Sequence, residues 1–346
     1  MTKMLQEIGE QAAVLRGLEE ANRETLTALT AVLRERRITH AVFTARGTSD
    51  HASIFGQYLL GITGGVVSAL ALPSCVTLYG GQFCFENDLV VGVSQSGKAA
   101  DGLAVLNQAK AAGGVTLAIT NDADSPMAKA ADFHLYCNAG PEKSVAATKT
   151  FTAQLGLITL LAAYWHQDDA LLTAFRALPD HVEQTNRLCD SEIDALALQY
   201  RYIEDGFVLS RGLCYPIALE AMLKIQETCY VRMKGYAVSD FYHGPLAQVD
   251  GNTPVLLFAP GGRALEDHRG MLARLREIGA EPLVVTNDKA FAEECRLSFL
   301  LPDTGSELTQ PFLYAVFAQR FAQSLCVQKG LNPDAPRNLK KVTITR

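Results

Sequence analysis

No stretch of this 346-residue chain is apolar for long enough to cross a bilayer. The most apolar run, around LGLITLLAAYW, is about half of the roughly 20 residues that a spanning helix needs. The amino terminus, MTKMLQEIGEQAAVL, has a polar-faced helix start in place of the apolar core of a signal peptide, which predicts a cytoplasmic protein. Basic charge is also short. Lys and Arg number 31 against 37 Asp and Glu, a formal net charge of -6, which argues against broad binding to nucleic-acid phosphates. A local anion site stays open, because backbone amides at a helix start supply positive potential without a basic side chain. The eight cysteines include no CxxC pair and lie within apolar runs, so they read as buried, reduced thiols. No His, Cys or carboxylate cluster has metal-ligand spacing, and neither a metal nor another cofactor is expected.

What is present is a long chain of ordinary globular composition, 48% hydrophobic and 20% charged, and its length predicts two domains. The two halves follow one plan. HAVFTARGTSDHASIFGQYLL and DGFVLSRGLCYPIALEAMLKI each read as a buried strand, a Gly turn and a helix. DLVVGVSQSGKAADGLAVLNQAKAAGGVTLAITND and TPVLLFAPGGRALEDHRGMLARLREIGAEPLVVTND each read as strand, Gly turn, helix, Gly stop and strand. Gly47 and Gly212 are 165 residues apart, as are Gly97 and Gly262, and Asn121 and Asn287 are 166 apart. That period is far too long for a solenoid, so the repeated units are whole domains. Continuous apolar strands alternating with helices predict parallel sheets covered on both faces. The expected fold is two tandem doubly wound α/β sandwiches of the flavodoxin-like kind. The expected boundaries are helices over 1–34 packing on the first domain, the first domain over 35–169, a helical linker over 170–199, the second domain over 200–332 and a tail over 333–346.

Ligands in such sheets bind beyond the carboxyl ends of the strands. Two first-domain loops, RGTSDH and SQSGKAAD, combine glycine with hydroxyls at a helix start and suit an oxyanion or phosphate. Each alone reads first as a Ser N-cap at Ser49, Ser94 or Ser96, and it is two such loops at equivalent strand ends of one domain that favour a phosphate site. The matching second-domain loops, SRGLCY and APGGRA, have lost most hydroxyls, which puts the expected phosphate site in the first domain. Neither loop is the Walker pattern, since SQSGKAAD lacks its first Gly and the hydroxyl after Lys. GPEKSVAATKTFTAQLGLITLL reads as a capped amphipathic helix whose opening turn is able to line a sugar-sized cavity. In the second domain, Glu220, Lys224 and Glu227 share a helix face at i, i+4 and i+7 inside an otherwise apolar run. They read either as a surface stripe with a Glu–Lys pair or as a carboxylate placed to shuttle a proton between adjacent carbons.

Together ARGTSDHA, SQSGKAAD, EKSVAATKTFTAQL, ALEAMLKIQE, FYHGPLA and PRNLKKVT resemble the sugar isomerase (SIS) family. The likeness runs in order along almost the whole chain. It is greatest to the isomerase half of glucosamine-fructose-6-phosphate synthase and to glucosamine-6-phosphate deaminases built on the same tandem plan. The resemblance implies phosphate ligands at Ser49, Ser94, Gln95 and Ser96, with Thr48 close by, and backbone contacts to the sugar at Val145 and Ala146. Ala99 stands where the synthase pattern has a phosphate-binding Thr, and Lys98 replaces a Glu. Glu227 resembles the base that moves the proton between C1 and C2, and Lys224 its electrostatic partner. His243 resembles the residue that opens the sugar ring, reaching the site from a neighbouring subunit, which implies a homodimer with shared sites. Lys341 resembles the lysine that engages the open-chain carbonyl, by Schiff base or by charge.

The synthases begin with a glutaminase domain that has no counterpart before MTKMLQ, so no glutaminase activity is expected. The implied activity is isomerisation coupled to deamination of a glucosamine-6-phosphate-like sugar, giving fructose-6-phosphate and ammonia. A deglycase acting on a phosphorylated sugar–amino acid adduct and a plain aldose–ketose isomerase need the same acid–base set. A non-catalytic sugar-phosphate sensor is the reading of another class; it needs neither Glu227, His243 nor Lys341. No nucleic-acid or membrane partner is expected.

Overall fold

Short, largely apolar β-branched runs make the strands that are buried on both faces, and several are followed by a glycine turn and a helix. The computed structural model describes residues 1–341. Ten strands form two five-stranded sheets. The first holds β1 (His40–Thr44), β2 (Val67–Leu70), β3 (Asp88–Ser94), β4 (Val115–Thr120) and β5 (Phe133–Tyr136). The second holds β6 (Asp205–Ser210), β7 (Arg232–Ala237), β8 (Val255–Phe258), β9 (Leu283–Thr286) and β10 (Ser298–Leu300). The orders are β2-β1-β3-β4-β5 and β7-β6-β8-β9-β10, so the second sheet repeats the topology of the first. All strand pairings are parallel. β4, β8 and β9 are buried along their whole length, as parallel strands between two helical layers must be. Helices stop at left-handed glycines: Gly65 (φ 63) ends Thr48–Gly64, and Gly279 (φ 93) ends Leu265–Ile278.

Two compact units result. The upstream unit comprises Glu10–Glu142 and Ala147–Arg176 together with Lys340 and Lys341 of the tail; the downstream unit comprises Met1–Gly9, Lys143–Ala146 and Ala177–Leu339. Each has one helix buried on nearly every side, Lys149–His166 upstream and Pro311–Gln328 downstream, with 16 of 18 residues buried in both. The first of these carries the apolar LGLITLLAAYW run, so that run is a core helix rather than the amphipathic one its opening suggests. No helix among the described residues is long and apolar enough to cross a membrane. Residues 169–199 form a single helix of 31 residues.

Three features differ from the sequence reading. The helix Lys3–Gly9 groups with the downstream unit rather than with the first domain. Asp334 explains it: its carboxylate accepts the backbone N–H of Lys3 at 2.7 Å and of Met4 at 2.9 Å, capping that helix start. The segment Lys143–Ala146, expected within the first domain, also groups downstream. The cysteines are all free, but only Cys137, Cys189, Cys214, Cys229 and Cys326 are buried; Cys75 and Cys295 are half-buried and Cys84 is exposed. Cys84 lies in the irregular stretch over 78–87, where no strand or helix covers it.

Candidate functional site

In the upstream unit β1 and β3 are hydrogen-bonded neighbours, so the loops leaving their carboxyl ends lie side by side. Gly47, at φ 56, makes the turn from β1 into the helix Thr48–Gly64, and its carbonyl accepts the Asp50 and His51 amides. Thr48 is half-buried, and Ser49, only 7% exposed, accepts a hydrogen bond from Gln154 Nε2 at 3.0 Å. The hydroxyls are not helix caps. The cap positions are Gly47 and Ala99, and neither residue gives a side-chain cap. Ser94 Oγ instead accepts the Gly97 N–H at 3.0 Å and closes the loop after β3, while the Gln95 carbonyl accepts the Asn121 amide at 3.0 Å from the exit of β4. Ser94, Gln95 and Ser96 are half-buried on this lip, and Lys98 is exposed. Gly97 has φ 63, and a Cβ there would fall 2.1 Å from Ser125 Oγ, so only glycine fits.

Two charged residues that the sequence reading missed hold these loops together. Arg46, from the β1 loop, pairs at 2.6 Å with the buried carboxylate of Asp101, in the first turn of the helix after β3. Burial lifts the Asp50 carboxyl above its ordinary value against the opposing pull of His51 and Arg46. The same unit holds Lys341, whose Nζ lies 2.8 Å from Oε2 of Glu142. Glu142 is completely buried: burial pushes its carboxyl up, but Lys341 and the amides of Thr148 and Thr150 push it further down, to below the usual carboxylate value.

In the downstream unit the helix Tyr215–Cys229 carries Glu220, Lys224 and Glu227. They are not a surface stripe. Glu220 and Lys224 are fully buried, and the Lys224 ammonium sits 3.4 Å from Glu220 and 2.5 Å from Glu227. Burial pushes the Lys224 ammonium down, but the two carboxylates outweigh it and its pKa lies well above the ordinary lysine value. Glu227 alone of the three is partly exposed, at 23%. It lines a cleft of about 500 Å³ together with Tyr230, Arg232, Lys234, Arg337 and Asn338. Arg337 stacks over the Tyr230 ring at 4.1 Å, and its amide donates to the Tyr230 hydroxyl at 2.8 Å, which fixes the tail at the cleft rim.

His243 lies in the same unit, exposed, its amide bonded to the Asp240 carbonyl, and it is not among the residues lining the cleft. Val145 is half-buried and Ala146 buried. Their segment is pinned by Glu7, missed from sequence, whose carboxylate accepts the Lys143 and Ser144 amides and the Ser144 hydroxyl.

The downstream counterpart of the Gly97 loop is already filled. Gly262, at φ 107, stands at the β8 exit, and the next amide, of Arg263, donates at 2.8 Å to the Glu307 carboxylate. A Cβ on Gly262 would meet that carboxylate at 1.8 Å. The repeat anchor Asn287 accepts the Gly261 amide at 3.0 Å, whereas upstream Asn121 bridges to Gly140 and Ala139. Among the described residues no group of three or more His, Cys, Asp or Glu is placed to hold a metal ion.

Two parallel sheets of identical strand order, with hydroxyl-rich glycine loops at the strand ends of one, define a protein of two tandem doubly wound α/β domains. Residues 33–164 and 206–327 match the family model for the SIS domain, and the chain belongs to that family. It is 33% identical over 354 residues to the glutamine–fructose-6-phosphate aminotransferase [isomerizing] of Aquifex aeolicus, covering 99% of this chain and 57% of that one. The chain thus spans little more than half the length of this relative. Among solved structures it superposes on the C-terminal domain of glucosamine-fructose-6-phosphate aminotransferase from Francisella tularensis with a TM-score of 0.83 at 25% identity, covering 97% and 98% of the two chains. The glucosamine-6-phosphate deaminase of Thermotoga maritima, at 21% identity and a TM-score of 0.78, shares the fold over 99% of this chain and 100% of its own.

Proposed function

We propose that this protein isomerises and deaminates an amino-sugar phosphate of the glucosamine-6-phosphate kind. The observation that carries the reading is the Lys224–Glu227 pair. A buried ammonium fixes a carboxylate at the wall of a cleft large enough for a hexose, with part of that carboxylate left open to a ligand. The phosphate docks on the upstream loops at Ser49, Ser94, Gln95 and Ser96, beside Thr48, and orients the sugar without touching the reacting carbons. The backbone of Val145 and Ala146 lines the sugar. His243, supplied by the second subunit of a homodimer, moves a proton to or from the ring oxygen and frees the C1 aldehyde. Glu227 takes the C2 proton and returns it at C1 through an enolamine. Lys224 and Lys341 stabilise the negative charge that develops. The C2 ketimine then hydrolyses to ketose phosphate and ammonia.

The test is ammonia release from glucosamine-6-phosphate with fructose-6-phosphate followed in parallel. Equal amounts of both support the deaminase. Fructose-6-phosphate binding without ammonia release sinks it.

One observation favours a second reading. Arg232, Lys234 and Arg337 line the cleft beside Glu227, and a departing ammonia needs no cations there. An amine carrying a carboxylate would use them, which is the deglycase activity on a phosphorylated sugar–amino acid adduct. Free amino acid released from such an adduct, faster than ammonia from glucosamine-6-phosphate, decides for it.

A further inference from the structure

Glu142 sits in the turn just ahead of the helix Lys149–His166, with its side chain fully buried. Five donors converge on its two oxygens. Oε1 accepts the amides of Thr148 at 2.9 Å and Thr150 at 3.1 Å, and the Thr148 hydroxyl at 3.5 Å. Oε2 accepts the Thr150 hydroxyl at 2.8 Å and the Lys341 ammonium at 2.8 Å. The first four come from the turn that opens the helix, so the position of the carboxylate is set locally. The fifth arrives from 199 residues further along the chain. A carboxylate with no access to water is tolerated as an anion when a cation and hydrogen bonds replace its hydration. Lys341 supplies the cation, and its neighbour Lys340 is exposed. The Lys341 side chain keeps 25% of its surface exposed, so it is held by Glu142 on one side and open on the other.

We propose that Glu142 is the positioning residue for Lys341: a preformed, buried carboxylate socket that fixes the tail lysine for its work on the open-chain sugar. This deepens the proposed function and rests on its assignment of Lys341. A merely structural tie would anchor the tail and nothing more.

The experiment compares Glu142→Gln, Glu142→Asp, Lys341→Met and the double variant Glu142→Gln/Lys341→Met. Turnover is assayed on glucosamine-6-phosphate, binding with fructose-6-phosphate, and folding by thermal melting. Glu142→Gln should lower kcat by at least about tenfold with KM changed less than about threefold, since the amide is near-isosteric and the phosphate loops are untouched. Glu142→Asp keeps the charge and should retain more turnover than the amide. The double variant should be no slower than Lys341→Met alone, because without the lysine the socket has nothing to hold. Lys341→Met inactive beside a fully active Glu142→Gln overturns the socket while leaving the function standing. Losses that multiply in the double variant overturn it in favour of a structural role. A fully active Lys341→Met overturns both the socket and the role of the lysine.

Discussion

The Lys224 ammonium lies 2.5 Å from the Glu227 carboxylate and 3.4 Å from that of Glu220, in a part of the helix where Lys224 and Glu220 have no exposure at all. Three charges on one buried face are unfavourable singly and tolerable only as a set. Their placement binds the stability of the helix Tyr215–Cys229 to the geometry of the cleft.

Lys224→Met should therefore lower unfolding free energy by about 3–5 kcal/mol, because it strands a buried carboxylate at Glu220. Urea denaturation reads the loss. The pH dependence has a definite sign. The folded pKa of Lys224 lies above its unfolded value, so the contribution of the pair is complete below the unfolded lysine pKa of about 10.4 and fades as pH rises through the folded one. The gap between wild type and variant should stay level from pH 7 to about 9 and shrink only in strong alkali. A gap that closes near neutrality would show that the ion set contributes little.

Glu227→Gln should cut turnover by roughly 10²–10⁴-fold, the range for loss of a general base, and leave fructose-6-phosphate affinity within a few-fold of wild type. Steady-state kinetics and titration calorimetry separate the two effects. Near-normal turnover in this variant would remove Glu227 from the chemistry.

Gly97→Ala should weaken fructose-6-phosphate binding by at least about tenfold, since the loop must open to relieve both a left-handed backbone and the clash with Ser125. Gly113→Ala is the control: φ is 81 there, but a Cβ meets nothing within 4 Å. It should cost roughly 1–2 kcal/mol of stability and leave binding unchanged. Equal binding by wild type and Gly97→Ala would move the phosphate elsewhere.

His268 supplies an acid-side prediction. Burial holds its pKa down to about 4 in the folded chain, against the upward pull of the Ala264 carbonyl and Asp267, and the unfolded value is near 6.5. The native histidine stays neutral where the unfolded one takes a proton. Stability should fall as pH drops below about 6.5 and level off near 4, by about 3 kcal/mol in all. His268→Leu should flatten that part of the curve, which pH-dependent melting can follow.

The sheets were legible in the sequence because parallel strands buried on both faces are mostly apolar and β-branched, with threonine the only polar residue in VTLAIT and LVVT, and because glycine marks where helices stop. The repeat was legible for the same reason: Gly47 and Gly212 recur where the backbone must turn left-handed. The charged face of the helix Tyr215–Cys229 was visible as an interruption in IALEAML, though spacing alone left its burial open. What stayed hidden was long-range pairing. Arg46–Asp101, Glu7–Ser144 and Glu142–Lys341 join residues that no period relates. Ser94 read as a helix cap because a Ser before a helix usually is one, and here the loop after β3 uses its hydroxyl instead. The grouping of Lys3–Gly9 was hidden because its cap, Asp334, lies at the other end of the chain.

Glu307 gives the duplication an asymmetry. A chain built twice on one plan offers the same loop position twice, once in each sheet. Here the downstream mouth carries its own anion, tethered by covalent chain and bonded to the Arg263 amide. A tethered carboxylate competes at an effective concentration that a free sugar phosphate does not match. Self-occupancy of this kind gives the repeat a polarity that its strand order does not show.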